Sequence, residues 1–195
     1  MASQFELELS AQTVESLGTW LALLKQWNKK LDLTAAKTDD AIVDVMLADA
    51  FVLAKHLPTD AKVVDVGSGA GAPGFPLALA RPDLKMTLVE PLTKRVSFLR
   101  TAIGAVARPD VEVKRTRLDE LPDHGWDVAL SRATLPPQEW LDGAARLVGE
   151  KGDVWVLLAK EDPPVRPDFR LVSDHAYTWP RSKHPRRALR YARST

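Results

Sequence analysis

No cysteine occurs among the 195 residues, which excludes disulfides, thiolate metal sites and cysteine nucleophiles, and is compatible with a reducing cytoplasm. The four histidines are scattered and show no metal-ligand spacing. No apolar run approaches the length of a membrane span. Met1 to Ser10, with Glu6 and Glu8, lacks the basic segment and apolar run of a secretory signal. Net charge is only +1, so the chain as a whole does not announce a polyanionic partner. Acids are missing from one region, however. None follows Asp174, whereas Arg181, Lys183, Arg186, Arg187, Arg190 and Arg193 do, interleaved with Tyr177, Trp179, His184 and Tyr191. This tail reads either as a phosphate-contacting patch or as a solvated edge strand or frayed end whose cations discourage aggregation.

What is present organises into helix, then alternating strand and helix. Val14, Leu17, Trp20, Leu21, Leu24 and Trp27 recur three or four apart, giving an amphipathic helix from Ser10 to Lys30. A second helix is predicted from Thr38 to His56, opened by Thr38 with Asp39 and Asp40 and closed before Pro58. Strands follow at 61–66, 85–90, 111–114, 126–130 and 153–159, with helices near 74–80, 93–106 and 136–148 between them. Weaker strands are expected near 169–175 and 188–192. The alternation implies an α/β fold, a doubly wound, mostly parallel seven-stranded sheet of Rossmann-like type. Residues 1–58 read as an N-terminal helical cap packed on a main domain, residues 59–195, that carries the basic tail.

The densest chemical information lies in Asp65-Val66-Gly67-Ser68-Gly69-Ala70-Gly71, where a β-branched strand stops at a glycine turn able to approach a ligand closely. Two cofactor classes use such a turn. Gly67, Gly69, Ala72 and Glu90 loosely meet the dinucleotide fingerprint. The alternating acid-x-Gly-x-Gly-x-Gly form matches S-adenosylmethionine methyltransferases more tightly. Pro73 and Pro76 favour the same choice, because a pyrophosphate docks on helix-start amides and proline supplies none. Glu90, ending the second strand, is placed to accept both ribose hydroxyls, or is a strand-end surface acid. Asp65 contacts the ligand region directly or holds the glycine loop through backbone amides. Leu118 and Asp119 follow the third strand, where an amide and a carboxylate could read an adenine edge. Asp119 reads equally as a solvated acid. Arg132 ends the fourth strand, in the crevice, as a ligand contact or a surface ion-pair partner.

Together these residues resemble the RsmG family, also called glucose-inhibited division protein B, which methylates a guanine at N7 in small-subunit ribosomal RNA. The likeness covers roughly Trp27 to Lys160. Its most specific piece is Asp65 to Ala78, in which Pro73-Gly74-Phe75-Pro76 continues the glycine turn. Thr93-Lys94-Arg95-Val96-Ser97-Phe98-Leu99, Trp27-Asn28-Lys29, Leu33-Thr34-Ala35 and Ser131-Arg132-Ala133 look like further family segments. The resemblance implies a Rossmann-like class I methyltransferase with S-adenosyl-L-methionine as cofactor. It places cofactor contacts at Gly67, Ala72, Glu90, Pro91, Leu92, Leu118, Asp119 and Arg132, with Asp65, Gly69 and Gly71 in the same turn. It also implies a cytoplasmic monomer acting on the small ribosomal subunit or its RNA, without membrane association.

The acceptor half departs from the family pattern. Asp32 stands for Asn, Val45-Met46 for an Arg-His pair, Thr134-Leu135-Pro136-Pro137 for Phe-Ala-Ser-Leu, and Glu161 for Gly. Ala72 replaces a larger apolar residue. Guanine N7 already exposes a lone pair, so no catalytic acid or base is expected, and positioning carries the rate. Lys94, Arg95, Arg132 and Lys160 are candidate contacts to phosphate or guanine oxygen, and Lys94 and Arg95 read alternatively as a solvated helix face. Other acceptors, a binding module without turnover and an NAD-dependent enzyme are the competing readings.

Overall fold

A computed structural model describes residues 1–194. Helix α1 (Ala11–Leu31) starts where the Ser10 hydroxyl accepts from Thr13 N at 3.1 Å, and it buries Leu17, Trp20 and Leu24 along one stripe. Thr38 likewise caps the second helical run, accepting from Ala41 N at 3.2 Å. That run is not one regular helix. It comprises α2 (Asp39–Val43), a π turn (Asp44–Ala48) and α3 (Asp49–Ala54).

The strands are β1 (Lys62–Val66), β2 (Lys85–Val89), β3 (Glu112–Lys114), β4 (Trp126–Arg132), β5 (Val148–Leu158), β6 (Phe169–Thr178) and β7 (Pro185–Arg193). They form one seven-stranded sheet in the order β3-β2-β1-β4-β5-β7-β6. The first five in that order pair in parallel, and β7 runs antiparallel to both β5 and β6. Crossover helices α4 (Gly74–Ala80), α5 (Thr93–Ala105) and α6 (Pro137–Ala144) join the parallel strands. Because β1 has β2 on one side and β4 on the other, the chain order reverses at β1, leaving a crevice at the carboxyl ends of these strands.

Both faces of the sheet are covered. Trp20, Leu24, Phe51 and Leu53 from the N-terminal helices share one buried cluster with Phe75, Phe98, Leu99 and Trp155. The opposite face packs Trp140, Leu141 and Ala144 of α6 on Val64, Ala129 and Val154. A strand buried on both faces has no alternating pattern, which is why Val63-Val64 reads as a continuous apolar run.

Two sequence expectations are corrected. The helix expected to reach Val148 ends at Ala144, and Val148 instead opens β5 by pairing with Trp126. Leu147-Val148 is too short an apolar run for periodicity to choose between helix and strand. Among the described residues the arginines from Arg186 to Arg193 of the basic tail sit neither on an edge strand nor in a frayed end: β7 lies inside the sheet and β6 forms the edge. Arg187, Arg190 and Arg193 pair with Asp174, Asp153 and Asp168 at 2.5, 2.9 and 3.5 Å.

Candidate functional site

A cleft of about 940 Å³ occupies the carboxyl-end crevice. One wall is the glycine turn, with Gly67, Gly69 and Gly71 at φ of 75°, 57° and 108°, a region that side chains rarely enter. At Gly71 a Cβ would also lie 3.0 Å from Phe75 Cβ and 3.2 Å from Leu99 Cδ2, so the turn sits directly on the core. Trp20 Nε1 donates to Ala70 O at 3.2 Å and ties α1 to the same turn.

Glu90 is buried where β2 ends. Its Oε2 accepts from Gly69 N at 3.0 Å and its Oε1 from Leu92 N at 2.9 Å, while Arg95 Nη1 stands 3.7 Å from Oε2. Each carboxylate oxygen has two lone pairs, so both can still accept from a vicinal diol. Beneath the turn, Asp65 Oδ2 accepts from Gly74 N at 2.9 Å and Oδ1 has no partner. Burial pushes this carboxyl up to about 7, against the lowering effects of the Gly74 amide and the Arg132 charge. The native state therefore holds a proton that the unfolded chain releases near pH 4. Asp65's contribution to stability is full below that pH and is lost as pH rises through about 7. Asp65→Asn, neutral at every pH, is expected to fold and to flatten the stability–pH curve between about 4 and 7. Urea titrations across that range check this, and an unchanged slope would rule it out.

The first turn of α4 offers no free donor. Gly74 N is held by Asp65, Phe75 N donates to Gly71 O at 2.6 Å, and Pro76 has no N–H. A pyrophosphate would find no amide there, whereas a cofactor bearing a ribose and a cationic sulfur suits the carboxylate of Glu90 and the open backbone at Gly69.

The facing wall is a polar network that the sequence did not suggest. Asp49 accepts from Arg132 Nη1 at 2.9 Å, Tyr177 Oη at 2.8 Å and Trp179 Nε1 at 2.8 Å. Arg132 also donates to Val45 O, in the π turn. Asp44 accepts from Arg181 N at 3.0 Å and Ser182 N at 2.6 Å. Burial, with Asp49 beside it, pushes the Tyr177 hydroxyl up, keeping it a donor. Five positions of regular α-helix would point Asp44 and Asp49 about 140° apart. The π turn between them alters that angle, and both buried acids engage the β6–β7 hairpin. Two acids inside an otherwise apolar helix were the available signal, but their partners lie more than eighty residues away.

Gly67, Gly69, Ala72, Glu90, Pro91, Leu92, Arg95 and Arg132 all border the cleft, as do Val45 and Met46. Asp65 and Gly71 lie beneath it. Leu118 and Asp119 sit in a short 3-10 turn after β3, outside the cleft lining; Leu118 O accepts from Arg146 Nη2 at 2.5 Å and Asp119 is exposed. Lys94 and Lys160 are exposed and also outside the lining. Thr134, not expected here, overhangs the glycine turn with Oγ1 3.3 Å from Val66 O and 3.4 Å from Gly67 O.

The switch-point cleft, glycine turn and strand-end carboxylate belong to a Rossmann-like, S-adenosylmethionine-dependent methyltransferase. The chain is a member of the GidB family, described as rRNA small subunit methyltransferase G, whose family model matches residues 13–163. It is 36% identical over 151 residues to ribosomal RNA small subunit methyltransferase G of Chromobacterium violaceum, covering 77% of this chain and 72% of that protein. The protein of the same name from Methylobacillus flagellatus is 34% identical over 161 residues, covering 82% and 78%. Among solved structures, M. jannaschii TYW2 in complex with AdoMet superposes with a TM-score of 0.60 at 14% identity, over 83% of this chain and 80% of that one. The Burkholderia thailandensis 1,6-didemethyltoxoflavin-N1-methyltransferase gives 0.60 at 14% identity, over 97% and 93%. These two likenesses bear on the fold alone.

Proposed function

We propose that this enzyme methylates ribosomal RNA of the small subunit, at guanine N7. Membership of a family described as rRNA small subunit methyltransferase G carries the reading. The cleft is large enough for a cofactor on the glycine-turn side and a base on the Asp49 side. In this reading the cofactor meets Gly67, Gly69, Ala72, Glu90, Pro91 and Leu92. Residues 1–58 act as a cap that closes the acceptor side.

S-adenosylmethionine, held against Gly67, Gly69, Ala72 and Glu90, would supply an electrophilic methyl group with a neutral thioether as the leaving group. Glu90 orients by accepting hydroxyls while its own position is fixed by Gly69 N and Leu92 N. Val45, Met46 and Leu33 present apolar surface that excludes water from the acceptor side. Arg132 holds a cation in the wall, its guanidinium fixed by Asp49 and Val45 O. No proton has to leave N7 before attack, so orientation supplies the acceleration and no general base is required.

Transfer of labelled methyl to undermethylated small subunits, naked small-subunit RNA and a small-molecule fraction tests this. Label is expected in the RNA, at a guanine N7. Label in small molecules only would overturn the ribosomal reading.

A further inference from the structure

The β6–β7 hairpin divides its cations into two groups. Those from Arg187 onward in β7 are structural: Arg187, Arg190 and Arg193 each face an aspartate. Those in the turn and at the first two positions of β7 are not. Among the described residues Lys183 and Arg186 have no ion-pair partner, and Arg181 meets only an exposed Asp40 at 3.5 Å. The Arg186 guanidinium instead lies 3.8 Å from the Trp179 ring centroid. Glu161, whose carboxyl feels the Arg186 charge, already accepts from the amides of Ala159 and Lys160 at 2.8 and 2.9 Å.

Topology fixes where these cations stand. Leu158, the last residue of β5, pairs with Arg187 near the start of β7, so the hairpin turn lies at the carboxyl end of the parallel strands, beside the cleft. Trp179, Ser182, His184 and Arg186 border that cleft directly. The turn is also held rigidly. The fully buried Asp44 carboxylate takes the amides of Arg181 and Ser182, Trp179 N donates to His184 O at 2.9 Å, and Trp179 Nε1 is bound by Asp49. Fixing the backbone with buried acids lets the exposed side chains of Arg181 and Lys183 project into solvent, Lys183 without an ion-pair partner among the described residues and Arg181 with only the exposed Asp40 at 3.5 Å, a contact that solvent screens.

We propose that the hairpin turn 179–186 is an RNA-backbone contact, in which Arg181 and Lys183 bind phosphates flanking the acceptor nucleotide. Arg186, backed by Trp179, offers a planar cation at the cleft edge for the same strand. This rests on the RNA reading above and adds the surface that grips the RNA, from a segment beyond the family match at residues 13–163. Removing the tail is not a usable test, since β7 is internal to the sheet and Tyr177 and Trp179 hold Asp49.

The test is Arg181→Gln with Lys183→Gln in the full chain, with naked small-subunit RNA as the probe over a salt series. The slope of log affinity against log salt is expected to fall by about 2, about one per phosphate contact. S-adenosylmethionine binding and the thermal midpoint are expected to hold. Arg181→Lys with Lys183→Arg should restore the slope. Arg170→Gln, at the opposite end of the sheet where β6 pairs with Ala192, should leave it intact. An unchanged slope in the double variant, an equal fall in Arg170→Gln, or no RNA binding by the unaltered protein would overturn the proposal. Loop-dependent RNA binding together with methyl transfer only to a different acceptor would leave this surface standing and remove the ribosomal reading.

Discussion

Asp49→Ala is expected to destabilise the protein by about 3 kcal/mol, because it leaves a half-buried cation without its carboxylate rather than merely deleting a contact. Arg132 is 19% exposed at the cleft edge and Asp49 2%, so water reaches the guanidinium only in part and does not make up for the lost carboxylate. Tyr177 and Trp179 lose their acceptor in the same step. Asp49→Asn keeps one acceptor oxygen and loses the charge, so it should fall between Ala and the unaltered chain. Urea denaturation midpoints at constant slope measure both. A cost below about 1 kcal/mol for Asp49→Ala would mean that Val45 O alone satisfies Arg132, and the account of this wall would be wrong. The same substitution frees the anchor of Trp179, so the hairpin turn should lose order at the cleft mouth.

For Glu90→Gln the expected effect is on the cofactor, a loss of affinity on the order of a hundred-fold, or about 3 kcal/mol. The carboxylate accepts from two backbone amides, one on each oxygen. A glutamine amide replaces one acceptor by an NH2 group, which must then face Gly69 N–H or Leu92 N–H, donor against donor. The turn shifts, and under the proposed cofactor placement one of the two oxygens offered to the ribose is removed with it. Calorimetric titration with S-adenosylmethionine and with S-adenosylhomocysteine reads the change. If both bind within three-fold of the unaltered protein, Glu90 serves only to brace the turn.

The cofactor half was legible where its determinants are local, and not at Leu118 and Asp119, which fall outside the cleft lining. Asp65, the glycines and Glu90 lie within 26 positions, and the parallel strands carrying them are continuous apolar runs that need no knowledge of their neighbours. Pro73 and Pro76 told against a pyrophosphate from the sequence, and the amides of Gly74 and Phe75 then prove occupied as well. The basic tail illustrates the opposite case. Its cations carry the same charge in the sequence, yet β7 pairs three of them, half-buried, with aspartates while the turn leaves Arg181 and Lys183 exposed. Only the pairing of β5, β7 and β6 separates the two groups. The end of α6 was misplaced for a related reason: Val148 becomes strand because Trp126 is there to pair with it.

The acceptor half depended on contacts that no local pattern encodes. Asp44 and Asp49 look like polar interruptions of a helix until the π turn and the C-terminal hairpin bring them amide, indole, phenol and guanidinium partners from more than eighty residues away. A buried carboxylate is tolerated only where such donors converge, and convergence is a property of the folded chain. By itself, then, the sequence determined the α/β class, the glycine turn and the cofactor type, since each follows from short-range backbone and patterning requirements. Tertiary structure alone decided which cations are spent in ion pairs, which remain exposed at the cleft, and how the wall opposite the glycine turn is held, because these depend on long-range desolvation and pairing.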